Sequence, residues 1–184
     1  MTESRLMPFL RPPLEVLFIA LNPPQQSNST GHYFSGKTSG FFKLLAASGL
    51  ITREIPQARA DGMVFGSTEI NYLGSSFGVV DLVDDLVETN STSVRVTSDH
   101  VTRLIGRILE VRPRFACVIH SKVRDGLNRH GGLRHPLTYG WCGTVLPNCD
   151  TEFLLNYFPN GNSVTDEAKI RIFQLLRDKL GTRA

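Results

Sequence analysis

Two kinds of hydrophobic pattern alternate along this chain. Short, nearly continuous apolar runs cover positions 15–21, 77–82, 115–119, 143–146 and 152–157, and each reads as a buried strand. Between them, apolar residues recur at helical spacing over 39–48, 98–111, 122–128 and 164–180. The stretch 98–111 is the clearest: Val101, Leu104, Ile105, Ile108 and Leu109 share one face, Arg103 and Arg107 lie elsewhere, and Pro113 stops the helix. Ile172, Phe173, Leu175, Leu176 and Leu180 repeat the pattern in the last helix, with Gly181 as its C-terminal signal. Strands alternating with helices predict an α/β fold with a largely parallel sheet. No repeat, low-complexity tract or long linker divides the chain, so positions 1–184 read as one domain.

Composition narrows this picture. The chain has 184 residues, of which 41% are hydrophobic, enough for a single sizeable core. No apolar run approaches a membrane span, and the N-terminal stretch MTESRLMPFLRPP has no long apolar signal region. Cys117, Cys142 and Cys149 are too few for a disulfide framework or a four-cysteine iron–sulfur cluster, which fits a reducing cytoplasm. Net charge is only +3, but it is unevenly spread. Positions 61–99 hold seven acids and one base, whereas 100–140 hold eight bases, two acids and four histidines. That asymmetry predicts a basic face able to meet phosphates, against the plainer reading of solvated helix faces.

The segment 17–45, LFIALNPPQQSNSTGHYFSGKTSGFFKLL, carries the candidate chemistry. A strand ends at Asn22-Pro23-Pro24, a polar loop carries Gly31-His32-Tyr33-Phe34, and a helix opens at Phe41-Phe42-Lys43. Loops at the carboxyl ends of strands are where open α/β sheets place ligands. In order and spacing these residues resemble the first motif of the mismatch-specific uracil-DNA and thymine-DNA glycosylases: strand, Gly-Ile-Asn-Pro-Gly, loop, aromatic, aromatic-rich helix. Asn22-Pro23, Gly31, Phe34 and Phe41-Phe42-Lys43 match it. Late in the chain, NYFPNGNSVTDEAK is similar to the second motif, Asn-Pro-Ser-Gly-Leu-Ser before the last helix. There Pro159, Gly161 and Ser163 match, while Phe158, Asn160 and Asn162 depart.

The resemblance implies a three-layer α/β/α fold around a mostly parallel four-stranded sheet. It implies a monofunctional glycosylase that excises uracil from single-stranded or duplex DNA and releases free uracil, as a monomer without metal or cofactor, in the cytoplasm beside the nucleoid. Such chemistry flips the base into a pocket, stacks it on an aromatic, stabilises charge on its oxygens and holds a water near the sugar carbon. Asn22 suits the water: its amide oxygen accepts while its NH₂ anchors, though an Asn that merely caps the strand-to-loop turn is the plainer reading. Phe34 suits stacking, with a core aromatic as the alternative.

Leu21 and Ser35 flank these two groups, and backbone N–H groups near Asn22 and Ser35 are candidate donors to the base. Asp81 and His120 are candidates for contact with the flipped nucleotide. As a carboxylate, Asp81 would accept from a base N–H but repel a departing anion. His120 equally suits a helix cap. Lys37, Lys122 and the loop Pro159, Asn160, Gly161, Asn162 and Ser163 are the DNA-binding candidates. In the family this loop enters the duplex. Asn162 stands where an apolar wedge is frequent, with Phe158 or Asn160 as substitutes. Ser163-Val164-Thr165-Asp166 also reads as a loose capping box. Pro24 replaces a family glycine, so the range of bases stays open. No lysine stands ready as a Schiff-base nucleophile; Lys37 is nearest, and phosphate contact suits it better.

Two other readings remain. Gly31 to Thr38 formally matches G-x-x-x-x-G-K-[ST], a nucleotide-binding loop. However, it starts ten residues after the strand, holds bulky His32, Tyr33 and Phe34, and has only Val79-Val80-Asp81 as a second motif. A non-catalytic domain that binds damaged DNA on the same fold is the third.

Overall fold

The computed structural model describes residues 6–182; Met1–Arg5, part of the stretch read for a signal region, lie outside it. The strands are β1 Val16–Ala20, β2 Phe77–Asp81, β3 Phe115–Val118, β4 Gly140–Thr144 and β5 Glu152–Leu155. The helices are α1 Gln25–Thr30, α2 Phe41–Ser48, α3 Ala60–Val64, α4 Ser98–Val111, α5 Ser121–His130 and α6 Asp166–Gly181. The fold is the expected α/β, with helices on both faces of the sheet, but the sheet has five strands rather than four, in the order β2-β1-β3-β5-β4. β1, β2, β3 and β5 are parallel, and β4 runs antiparallel to β5 at the edge. β4 also starts earlier than the apolar run 143–146 predicts. Val145 and Leu146 are buried beyond its end, and the register shifts between Trp141 and Gly143. Gly140 and Gly143, at φ of +97° and +69°, let the edge strand bend there.

Alternation along β1 divides the core. Val16 and Phe18 face one side, with Phe41 and Leu45 of α2 and Phe173 and Leu176 of α6. Leu17 and Ile19 face the other, with Val101, Leu104 and Ile108 of α4 and Val123 and Leu127 of α5. Phe18 is ringed by Phe41 at 5.3 Å and Phe173 at 6.2 Å, both edge-on.

Helix ends follow local chemistry. Thr97 and His100 form a reciprocal capping box on α4, and Arg112 closes that helix in the left-handed region just before Pro113. Thr165, not Ser163, caps α6, accepting from the Ala168 N–H at 3.4 Å. α1 and α3 are short helices that the hydrophobic pattern does not announce.

Candidate active site

β1 ends at Ala20 and leads into Leu21-Asn22, after which Pro23 and Pro24 have no N–H to continue a ladder. β2 ends at Asp81, and β3 ends at Val118, just before Ile119-His120. With β1 between β2 and β3, these ends border the point where the chain's crossovers part, the expected ligand position in such a sheet. A cavity of about 340 Å³ lies there, within the range of small-molecule sites. Its apolar lining includes Leu6, Leu21, Tyr33, Phe34 and Ile119. Its polar groups include Asn22, Asp81, His120 and the serines Ser27 and Ser39. Both serine hydroxyls are buried and lack a partner among the described residues.

The Asn22 side chain is held in one orientation. Its Nδ2 donates to Glu88 O at 2.7 Å, with Pro23 O at 3.2 Å and Leu86 O at 3.4 Å also in reach. Three carbonyls around one nitrogen fix which end of the amide is NH₂. Oδ1 makes no hydrogen bond among the described residues, so it is the end available to a ligand or water.

Asp61 shapes the aromatic wall. From α3, its carboxylate accepts from Tyr33 N at 2.8 Å and pairs with His32 Nδ1 at 3.0 Å. This grip turns the loop so that Phe34 lies in the left-handed region at φ +54°, unusual for a bulky residue. Its ring stacks on Phe41 at 4.0 Å with 21° between planes. Phe41 is itself core, so the stacking surface is backed by the body of the protein.

Asp81 is 5% exposed and has no ion pair among the described residues. Burial, with Asp84 nearby, pushes its carboxyl up to about 7, against the opposing hydrogen bond from Tyr33 and the more distant Arg107. Burial and the neighbouring Asp81 push the Tyr33 phenol up as well. His120 caps α5: its Nδ1 accepts from Lys122 N at 3.1 Å. An accepting Nδ1 leaves the proton of the neutral ring on Nε2. Burial and Lys122 lower His120 to about 4, so the ring is neutral at physiological pH and offers Nε2–H as a donor. Both roles expected of His120, cap and cavity group, are therefore compatible.

The late loop closes the rim. Phe158 is 43% exposed, lines the cavity and lies edge-on to His120 at 5.1 Å. Asn160 also lines it, its Oδ1 accepting from Gly40 N at 2.8 Å and so joining this loop to the start of α2. Pro159 is buried, Gly161 half-buried, and Asn162 and Ser163 exposed. Lys37 is exposed between Gly36 and Thr38, two cavity residues, and so stands at the rim.

Some expected residues are directed elsewhere. The Ser35 hydroxyl pairs with Thr30 Oγ1 at 2.7 Å and is not part of the lining. Lys122 sends its ammonium to the carbonyls of Ser91, Thr92 and Val94, with Val94 O at 2.8 Å, pinning the segment before α4. The predicted basic face is partly consumed inside the molecule: Arg103 and Arg107 pair with Asp84 and Asp85. The formal nucleotide-binding loop is not a phosphate cradle here. His32 and Tyr33 are tied to Asp61, and Gly36-Lys37-Thr38 precedes α2 instead of opening it.

Sequence reading missed Tyr33, Asp61 and Lys169. Lys169 of α6 is 1% exposed and donates to Pro159 O at 3.0 Å and Gly161 O at 2.7 Å, holding the late loop from beneath. Its signal was present: Lys169, Phe173, Leu176 and Leu180 share one helical stripe, and a lysine in a core stripe calls for internal acceptors.

Among the described residues no group of three or more His, Cys, Asp or Glu side chains is placed to hold a metal ion. Nor is any helix among them long and apolar enough to cross a membrane. A scan against models of known protein families finds none that matches the chain.

Proposed function

We propose that the protein is a monofunctional DNA glycosylase that removes uracil by base flipping and hydrolysis of the N-glycosidic bond. The observation that carries this reading is the Asn22 side chain, whose NH₂ is anchored on backbone carbonyls while Oδ1 is left for a water beside an aromatic-walled cavity. Phe34, backed by Phe41, stacks the flipped base. The His120 Nε2–H donates to a base oxygen as negative charge develops there. Phe158 at the rim takes the place of the family's wedge, and Lys37 meets phosphate. The resemblance of the segment 17–45 to the uracil-DNA and thymine-DNA glycosylases supports the same assignment. On the same reading the protein acts as a monomer on DNA in a bacterial cytoplasm.

The test uses oligonucleotides with one uracil, single-stranded and opposite guanine, followed by alkaline cleavage of abasic sites. Cleavage at the uracil is expected, with a loss of about 100-fold or more in Asn22→Ala and DNA affinity retained. Full activity in that variant would remove Asn22 from the water-holding role. Wild-type protein inert on every damaged base tried would leave the non-catalytic DNA-binding reading. Nucleotide hydrolysis has no geometric support in the loop.

A further inference from the structure

Within the proposed reaction, we infer that Asp81 meets the base as a carboxylic acid and donates its O–H to a carbonyl oxygen on the base edge. This deepens the glycosylase reading and rests on it.

The argument begins with what surrounds the carboxyl group. Asp81 ends β2, forms part of the cavity wall and is 5% exposed. A buried carboxylate needs a cation or several donors. The nearest candidate, Arg107 of α4, is already committed, its guanidinium donating to Asp84 Oδ2 at 2.8 Å. Arg103 is spread over Asp84 and Asp85, and Asp85 also binds His100 at 2.9 Å. The remaining titratable groups are the Tyr33 hydroxyl, with Asp61 behind it, and, elsewhere in the lining, the neutral His120 and the Glu88 carboxyl group. None supplies a positive charge, and Asp84 adds a negative one. Burial and Asp84 together move the carboxyl up to about 7, so the proton is held below neutrality and lost above it.

The protonation state decides the chemistry. An ionised carboxylate only accepts, so it faces a base carbonyl with like charge. The protonated group offers one donor and one acceptor side by side, which fits an edge carrying C=O next to N–H. Uracil and hypoxanthine both present that edge. When the glycosidic bond breaks, its electron pair goes to the base and negative charge reaches the carbonyl oxygen. The O–H of Asp81 lowers that charge by hydrogen bonding and keeps its own proton. Water oxygen bonds to the sugar carbon, and the proton it releases ends on the base nitrogen. The objection that a carboxylate here repels the leaving anion then disappears. The substrate class is a base with a lactam edge, and excision fails when Asp81 ionises.

The experiment is single-turnover excision of uracil from a single-stranded oligonucleotide from about pH 5.5 to about pH 9, with free-uracil affinity measured by calorimetry over the same range. Wild type is expected to hold a plateau up to about pH 7 and then lose about tenfold per pH unit, with uracil affinity following the same limb. Asp81→Asn carries its donor at every pH and is expected to lose the alkaline limb, whatever its plateau. A flat wild-type profile, or an Asp81→Asn profile with the wild-type limb, would overturn the inference. Should Asp81→Asn not fold, the wild-type uracil titration decides alone: affinity independent of pH overturns the inference, and affinity lost above about pH 7 supports it. Absence of excision by wild type at every pH overturns the glycosylase reading itself, while the uracil titration still tests Asp81.

Discussion

Asp81 shows how one side chain can hold two properties in tension. Burial pushes its carboxyl up to about 7, well above the ordinary carboxylate range near 4. Between those values the native state keeps a proton that the unfolded chain has released, so stability falls as pH rises through the window. It is fully present below about pH 4 and lost above about pH 7. A window of about three units corresponds to on the order of 4 kcal/mol. Asp81→Asn removes this dependence. Relative to wild type, its stability by urea denaturation is expected to gain a few kcal/mol between about pH 4 and about pH 8. A constant difference across that range would show that Asp81 titrates in its ordinary range. Asn22 is the opposite kind of residue, neutral at all pH and fixed by three carbonyls. Its candidacy was legible from its place after a strand together with the matching loop and aromatic that follow. The direction of its amide was not, because two of the carbonyls that orient it, those of Leu86 and Glu88, belong to a segment more than sixty positions away.

At the scale of elements, α6 does more than cover the sheet. Its Lys169 carries a charge into the core and finds the carbonyls of Pro159 and Gly161, while Asn156 Nδ2 donates back to Lys169 O at 3.0 Å. Helix and loop therefore brace each other, and Asn160 adds a link to the start of α2. Replacing Lys169 with Met keeps the stem but leaves two carbonyls without their donor, at about 1–3 kcal/mol each. Lys169→Met is expected to unfold at lower urea and to bind uracil-containing duplex about tenfold more weakly in fluorescence anisotropy. Unchanged duplex affinity would show that Asn156 and Asn160 suffice to hold the loop. The apolar face and Pro113 located α4 at its observed ends, where the structure adds a capping box of Thr97 and His100. The hydrophobic pattern missed α1 and α3, which are too short to show a helical period. It also placed β4 late, since half-buried Gly140, Trp141 and Cys142 resemble a turn until β5 pairs with them.

At the scale of the molecule, acid-rich 61–99 and base-rich 100–140 are linked by ion pairs. Asp84 and Asp85 meet Arg103 and Arg107 across the junction of β2 with α4 and neutralise part of both. Such partly exposed pairs add little stability, but they withdraw cations from any phosphate-binding role. Charge is thus a weaker guide to the proposed DNA face than the cavity rim, where Phe158 lies beside His120. An apolar group at a rim matters when a base must be drawn from a stacked duplex and matters little when the strand is already single. Phe158→Ala is accordingly expected to lose about tenfold or more on a U:G duplex and less than about threefold on single-stranded substrate. Equal losses on both would assign Phe158 to the cavity wall.

The alternation of apolar runs and helical stripes determined the α/β class, because side-chain period is a local property that any buried strand or helix must satisfy. Motif order likewise brought Asn22, Phe34, Asp81 and His120 forward as candidates. What the tertiary structure alone decided is their condition: which atom of Asn22 is free, that Asp81 lacks a counter-ion, that His120 is neutral, and that Lys122 and Ser35 are engaged elsewhere. Those properties depend on burial and on partners distant in sequence, and no local pattern encodes either.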